Sequence, residues 1–448
     1  MSVLLPFLLL IAVVGFGLVL WRPYLTVVMF GLLAPLGLTQ LPASLDVITV
    51  LSLLVVGAAL WNQLTRGASL IPQSPAAIAA VVWSLGILGS VAFSSDLGRA
   101  AVLGTWQILA AWLAVAIASL VDTQERLRAV LVAVLIGAII VTATGLSGGF
   151  NQSGVFNGSI VDNRAMGVFS QPNEYGLYSA MIWAFSLGMA CLCRGWLQLL
   201  AGVCSVVSLA GLAASFSRGS WLGAVVAAIV MAALIPLTRR PQAIAITAAV
   251  TTLGASLVLI PYWQLPGLLM SRFLSIFSGE SNPYDNRPAL LAEGLRQWGE
   301  APVFGIGPNM YPIESQTINS GTRTLQGQHA HNLIVTMGAE QGIVGLIALG
   351  LFVTAIVQAV RMARRIAVPR TGSRPRHIPL GTAVTLAAMG GLVSLAAAGL
   401  VDYPLRNALT RSTTWMLVGL LLAGQRVVRR QEEARSAQAV AGEQVSTV

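Results

Sequence analysis

Polar positions are sparse along this chain, and they separate apolar runs each about as long as a lipid bilayer is thick. Such runs fall at 3–21, 24–40, 45–64, 76–93, 101–121, 128–147, 167–192, 196–214, 219–237 and 242–262. They resume at 332–360, 379–401 and 408–425. A membrane-crossing helix needs about 20 apolar residues, whereas a barrel strand needs about 10 with strict alternation. The pattern therefore predicts an all-α polytopic membrane protein. The count is thirteen spans, or twelve, because only Trp21-Arg22-Pro23-Tyr24 joins the first two runs. Residues 263–330 interrupt the series with a long stretch richer in polar residues, Gly and Pro. Four regions follow: an N-terminal bundle at 1–262, a long loop at 263–330, C-terminal helices at 331–425 and a tail at 426–448.

Composition supports this reading. Of the 448 residues 56% are hydrophobic and 9% are charged, and the mean hydropathy is +0.79. An ordinary soluble domain carries about 25% charged residues, so a soluble enzyme and a disordered chain are both excluded. The net charge is +10, and all 26 basic residues are Arg. They sit between apolar runs, where they act as orientation signals rather than as a nucleic-acid surface. Cys191, Cys193 and Cys204 lie in or beside apolar segments without zinc-like spacing, which reads as packing. The start of the chain lacks a basic n-region and a clear cleavage site, and reads as a retained first helix.

Arg placement orients the chain. The loop 361–378 carries Arg361, Arg364, Arg365, Arg370, Arg374 and Arg376 with no acid, and the tail carries Arg426, Arg429, Arg430 and Arg435. Both are expected on the cytoplasmic side. The long loop is then outside. Its Arg272, Arg287, Arg296 and Arg323 are balanced by Glu280, Asp285, Glu293, Glu300 and Glu314. The loop 148–166 and Arg218 also fall outside. The inner face leaves no room for a nucleotide-binding domain, and no GxxxxGK[ST] loop is present. Chemistry or binding is therefore expected to face outward.

Several polar groups gather on that side. His329-Ala330-His331-Asn332 lies where the long loop re-enters the membrane. His331 at a first helical turn is placed to meet an anionic head group and to exchange a proton; equally, it could simply bond the loop backbone. An HxH pair can bind zinc, but no third His or Cys lies near it on the outer side. Arg218, in Ser215-Phe216-Ser217-Arg218-Gly219-Ser220, sits at a junction with almost no loop. An Arg costs about 2.5–3.5 kcal/mol at a helix centre and less near the interface, so it calls for an anionic partner or must snorkel to water. Arg287 starts an amphipathic segment with Asp285 or Asn286 as N-cap and Leu291, Leu295 and Trp298 on one face. That segment is expected to lie on the membrane surface, with Arg287 clamping a phosphate or simply solvated. Arg272 belongs to a similar, weaker segment. Gly305-Ile306-Gly307 follows no βαβ strand and reads as a tight turn. Pro172-Asn173-Glu174 and Asp402-Tyr403-Pro404 put polar groups at span ends, as cavity linings or as helix breaks.

Together these residues resemble the O-antigen ligase superfamily, which also holds O-antigen polymerases and some protein oligosaccharyltransferases. Its strongest mark is His followed by Asn, Ser or Gln, nine residues, then Gly-x-x and a small residue. Here His331-Asn332, residues 333–341 and Gly342-Ile343-Val344-Gly345 match it. Pro172-Asn173, Ser217-Arg218-Gly219, Arg287…Trp298…Pro302…Gly305-x-Gly307 and Asp402-Tyr403-Pro404 match in order, so the resemblance covers about 160–425. It implies a GT-C-like helical bundle in the bacterial inner membrane with its site facing the periplasm. It also implies transfer of a glycan from an undecaprenyl-diphosphate carrier to an acceptor hydroxyl, such as lipid A core in lipopolysaccharide biosynthesis. Neither metal nor cofactor is implied. His331 would be the base, and Arg218 and Arg287 the diphosphate clamps. His329, Asn332, Asn173, Asp402 and Arg272 are secondary candidates.

The expected partners are the lipid-linked glycan donor, a lipid or glycan acceptor and the bilayer, with no nucleic acid. A polymerase would use the same donor chemistry, and so would a protein O-oligosaccharyltransferase. An anion transporter of the bicarbonate type predicts charged residues near mid-membrane, whereas here the span interiors are nearly free of charge.

Overall fold

The computed structural model describes residues 4–34, 47–67, 74–147, 164–234, 286–315, 328–368 and 378–446, with Gly267 and Met270. Every regular element among them is helical. In chain order they are α1 (Leu4–Trp21), α2 (Leu25–Leu33), α3 (Val47–Thr65), α4 (Pro75–Ala92), α5 (Leu97–Leu120), α6 (Gln124–Ser147) and α7 (Pro172–Leu192). Then follow α8 (Trp196–Ala214), α9 (Arg218–Leu234), α10 (Arg287–Glu300), α11 (Tyr311–Glu314), α12 (Leu333–Ala367), α13 (Leu380–Ala398), a 3-10 turn (Pro404–Arg406) and α14 (Ala408–Ser446).

Eight of the described helices, α3 to α8, α12 and α13, are long and apolar enough to cross a membrane. The protein is thus a polytopic all-α membrane protein. Pro23 parts α1 from α2, because proline offers no N–H to continue a helix. The apolar run at 242–262, Arg272, Asp285 and Arg323, with residues 148–163, 271–285, 316–327 and 369–377 of the loops, lie outside the described residues. The last helix does not stop where the apolar run ends at 425; α14 continues through the polar tail to Ser446.

Helix α7 is the centre of the bundle, buried over most of its length against α8, α9 and α13. Lipid tails are as apolar as leucine, so close backbone contact, not the hydrophobic effect, drives helix pairing in a bilayer. The sequence supplies it with small residues. A Cβ on Gly188 of α7 would stand 2.9 Å from the Cα of Ala387 in α13, and one on Gly381 would strike the Gly424 carbonyl of α14. Exposed Leu85, Leu88, Leu199, Val225, Ile229 and Ile347 point outward from the bundle, as a surface in contact with lipid requires.

Helix α10 packs against the start of α12. Its protein-facing side is not the side of Leu291 and Leu295. Leu290, Glu293, Gly294 and Gln297 are buried, while Leu291 and Leu295 are exposed. The reason is steric: Gly294 admits Val335, and Gly338 of α12 admits the Trp298 ring. The Asn286 carbonyl accepts the first helical bond, from Leu290 N–H at 2.9 Å, but its side chain makes no capping bond. Arg296 is engaged within the same helix. It holds buried Glu293 at 2.7 and 2.9 Å and also reaches Glu300.

Helix α12 is broken. Gly342 has φ 63° and ψ −161°, a region open essentially to glycine alone. The segment Pro302–Gly307, which follows α10, enters the break. Ile306 and Gly307 N–H groups bond the Ala339 and Glu340 carbonyls at 2.9 and 3.1 Å. Ile343 and Val344 N–H groups bond the Pro302 and Val303 carbonyls at 2.9 and 3.2 Å. Backbone groups freed by the break are thus satisfied by another segment, as apolar surroundings demand. The Gly305-x-Gly307 turn exists for this docking: a Cβ on Gly305 would collide with the Glu340 backbone.

Candidate functional site

One cleft collects four of the eight expected residues, Asn173, Arg218, Arg287 and Asp402. It measures about 520 Å3 with its open mouth, and Asn173, Ser217, Arg218, Arg287, Val401 and Asp402 are among its lining residues. Three helices begin at it. Asn173 is in the first turn of α7, Arg218 is the first residue of α9, and Arg287 is the first residue of α10. Helix N-termini carry partial positive charge and unsatisfied N–H groups. The two arginines therefore add full charges to a place already suited to an anion.

His331 stands beside this cleft and is joined to its wall through Asp402. Its Nδ1 lies 3.1 Å from Asp402 Oδ1. Both side chains are about a quarter exposed, 25% and 28%, so solvent and substrate reach them. The backbone at His331 is unusual for a non-glycine residue, with φ 49°. Neighbouring bonds enforce it. Asn332 caps α12, its Oδ1 accepting from Val335 N–H at 3.0 Å, and its Nδ2 donates to the Leu400 carbonyl at 3.1 Å. The next N–H, of Leu333, donates to the Gly399 carbonyl at 2.7 Å. Residues 331–333 are thereby pinned to the 399–402 segment.

Burial opposes the charge on Asp402, but its bond to His331, the Tyr403 N–H and nearby Arg406 outweigh it and hold the carboxyl below its usual range. A carboxylate accepts only. In its neutral form, His331 therefore carries its proton on Nδ1 toward Asp402, which leaves the lone pair on Nε2. A third group thus sets the tautomer of that imidazole, the arrangement a general base uses.

His329 takes a different place. It is 5% exposed and packs between Tyr311, 6.3 Å away and nearly parallel, and Tyr403, 5.2 Å away. Burial, with the positive charge of Arg406 added, lowers its pKa to about 3. It is a neutral packing ring. Asn332 acts by positioning. Arg272 lies outside the described residues.

Two supports escaped sequence reasoning. Arg164 is 3% exposed and bonds the Ser215 carbonyl through Nε and Asn173 Oδ1 through Nη2, both at 2.7 Å. It ties the start of α7 to the turn before Arg218, where Phe216 adopts φ 49°. Glu174 pairs with Arg406 at 2.7 Å and takes a bond from Asn407 at 3.1 Å, binding α7 to the segment after Asp402. Arg164 stands in a polar stretch without periodicity, and the partner of Glu174 is more than 200 residues away, so neither link leaves a local signal.

Comparison with protein families matches residues 203–350, from α8 into the broken helix α12, to O-antigen ligase. This part of the chain belongs to the O-antigen ligase family. The matched stretch contains Arg218, Arg287, His331 and the break at Gly342, while Asn173 and Asp402 reach the cleft from either side of it. Comparison with curated proteins finds no match. O-antigen ligase membership carries a glycosyltransferase-type activity, of the ligase or polymerase kind.

Proposed function

We propose that the cleft transfers a glycan from an undecaprenyl-diphosphate carrier to an acceptor hydroxyl at the outer face of the bacterial inner membrane. The observation that carries this reading is the convergence of Arg218, Arg287 and three helix N-termini on one cleft, with the His331–Asp402 pair at its edge. The donor brings about two negative charges to the interface. Two guanidinium groups and the helix ends offset them, and more strongly as the leaving diphosphate gains charge.

In the step itself, the acceptor oxygen attacks the anomeric carbon of the glycan. The bond from that carbon to the phosphate oxygen breaks, and the electron pair leaves with undecaprenyl diphosphate. The hydroxyl proton passes to Nε2 of His331, and Asp402 steadies the imidazolium. Lipid A core is the acceptor we favour. A second lipid-linked glycan in its place would give polymerisation by the same step.

Arginine grips two oxygens in a fixed fork and lysine does not. Arg218→Lys and Arg287→Lys are each expected to slow transfer by roughly 10- to 150-fold, the equivalent of about 1.5–3 kcal/mol for a hydrogen bond to a charged group. Arg99→Lys, at the exposed start of α5, should leave the rate unchanged. Single-turnover transfer by the purified protein measures this. Normal rates in both cleft variants would remove the diphosphate from this site.

Sidedness has its own test. In a background lacking Cys191, Cys193 and Cys204, cysteines at Glu280 and Ser320 should react with an impermeant thiol reagent in intact spheroplasts. One at Gly372 should react only after permeabilisation. Labelling of position 372 in intact spheroplasts would invert the orientation.

A further inference from the structure

A second cavity lies at the opposite end of the bundle from His331. Ala355, in its wall, is roughly 20 Å along α12 beyond the break at Gly342, at 1.5 Å per residue. The cavity sits among α4, α5, α12 and α14 and measures about 1090 Å3 with its open mouth. Its lining is divided in character. Val115, Ala118, Ala355 and Leu422 give it an apolar wall, from which we infer a shaft between the helices, and Ser74, Ser119, Gln358 and Gln425 line it together with Arg426 and Arg429 of α14.

The two arginines are held differently. Arg426 Nη1 donates to the Ala118 and Ser119 carbonyls at 3.1 and 3.2 Å, which fixes its guanidinium where α5 ends. Arg429 is exposed and makes no ion pair with any described residue. Of the acids at this end, Glu125, Glu432 and Glu433 do not line the cavity, and Asp122 is already engaged. It is 5% exposed and pairs with Arg126 at 2.7 Å and Arg430 at 2.6 Å, with Arg66 at 3.9 Å. Positive charge is therefore in excess around the cavity.

We propose that this cavity holds an anionic phospholipid of the surrounding bilayer, its phosphodiester on Arg426 and Arg429 and an acyl chain along Val115, Ala355 and Leu422. Charge complementarity selects this occupant. A neutral lipid would fill the shaft and leave the guanidinium pair unused, and a free phosphate would use the guanidinium pair and leave the shaft empty. The site is separate from the His331 cleft and does not depend on the activity proposed for it.

Native mass spectrometry of the purified full chain, titrated with phosphatidylglycerol or phosphatidylcholine in neutral detergent, tests this. Phosphatidylglycerol is expected to bind at least roughly tenfold more tightly than phosphatidylcholine, as a pair of interfacial arginines would give. Arg429→Glu should weaken phosphatidylglycerol by roughly tenfold. Arg364→Glu, an equal charge change on exposed α12 outside the cavity, should not. Ala355→Leu, which narrows the shaft without altering charge, should also weaken binding; if it fails to fold, Arg429→Glu carries the test alone. Millimolar inorganic phosphate should not displace the lipid. Equal binding of the two lipids, equal loss in the two Glu variants, or displacement by phosphate would each overturn the proposal.

Discussion

Replacing His331 with alanine is expected to lower glycan transfer by about 10²- to 10⁴-fold, the usual contribution of a positioned general base, while the protein stays folded. The fold should tolerate the change because the ring is partly exposed and the backbone around it is pinned by Asn332 and Leu333 rather than by the imidazole. Asp402→Asn should lose most of the same activity, because an amide no longer enforces the proton on Nδ1. His329→Phe is the informative contrast. It keeps a ring between Tyr311 and Tyr403 and removes a nitrogen that already carries no proton charge. Transfer should continue. Rates from purified variants, with thermal unfolding as the check on folding, measure all three. If His329→Phe were as inactive as His331→Ala, the assignment of the base would be wrong; if a chelator then also stopped the wild type, a metal site would replace it.

Substituting Gly342 with alanine is expected to damage the fold itself. The new Cβ would collide with the Val303 carbonyl, and the backbone would have to hold a conformation that only glycine occupies at low cost. Such strain costs about 1–3 kcal/mol before the collision is counted. The obvious relief is for α12 to straighten and expel Pro302–Gly307. Four backbone hydrogen bonds across the break would go with it, and α10, which carries Arg287, would lose its seat. Lower folded yield, a reduced melting temperature in detergent and loss of transfer should appear together. Gly350→Ala, further along the same helix in open space, should change none of them. A Gly342→Ala protein with normal melting and activity would mean that the break is dispensable.

Much of this site was legible in the chain because each helix start announces itself locally. Pro172, the Ser217-Arg218-Gly219 junction and Asn332 are cap or first-turn residues at the edges of apolar runs, so hydropathy alone brings them to one side of the membrane. Their convergence on one cleft is tertiary. So is the break in α12. The residues at 332–360 read as one apolar run because a lone glycine inside a helix is tolerable, and only the distant Pro302–Gly307 segment makes Gly342 a hinge. The protein-facing side of α10 is not legible in its leucines for a related reason. Leu291 and Leu295 mark a side that stays exposed, whereas the contact with α12 is two glycines, Gly294 receiving Val335 and Gly338 receiving Trp298, with Glu293 held by Arg296.

The O-antigen ligase segment, the anion-suited cleft and the His331–Asp402 pair make one central claim, that this chain moves a glycan off a lipid diphosphate. Incubating the purified protein in liposomes with an undecaprenyl-diphosphate-linked glycan and a lipid A core acceptor tests it directly. The account predicts free undecaprenyl diphosphate and glycosylated acceptor in equal amounts from the wild type, and neither above background from His331→Ala. Intact donor after incubation with wild type, or equal release from the two proteins, would contradict it.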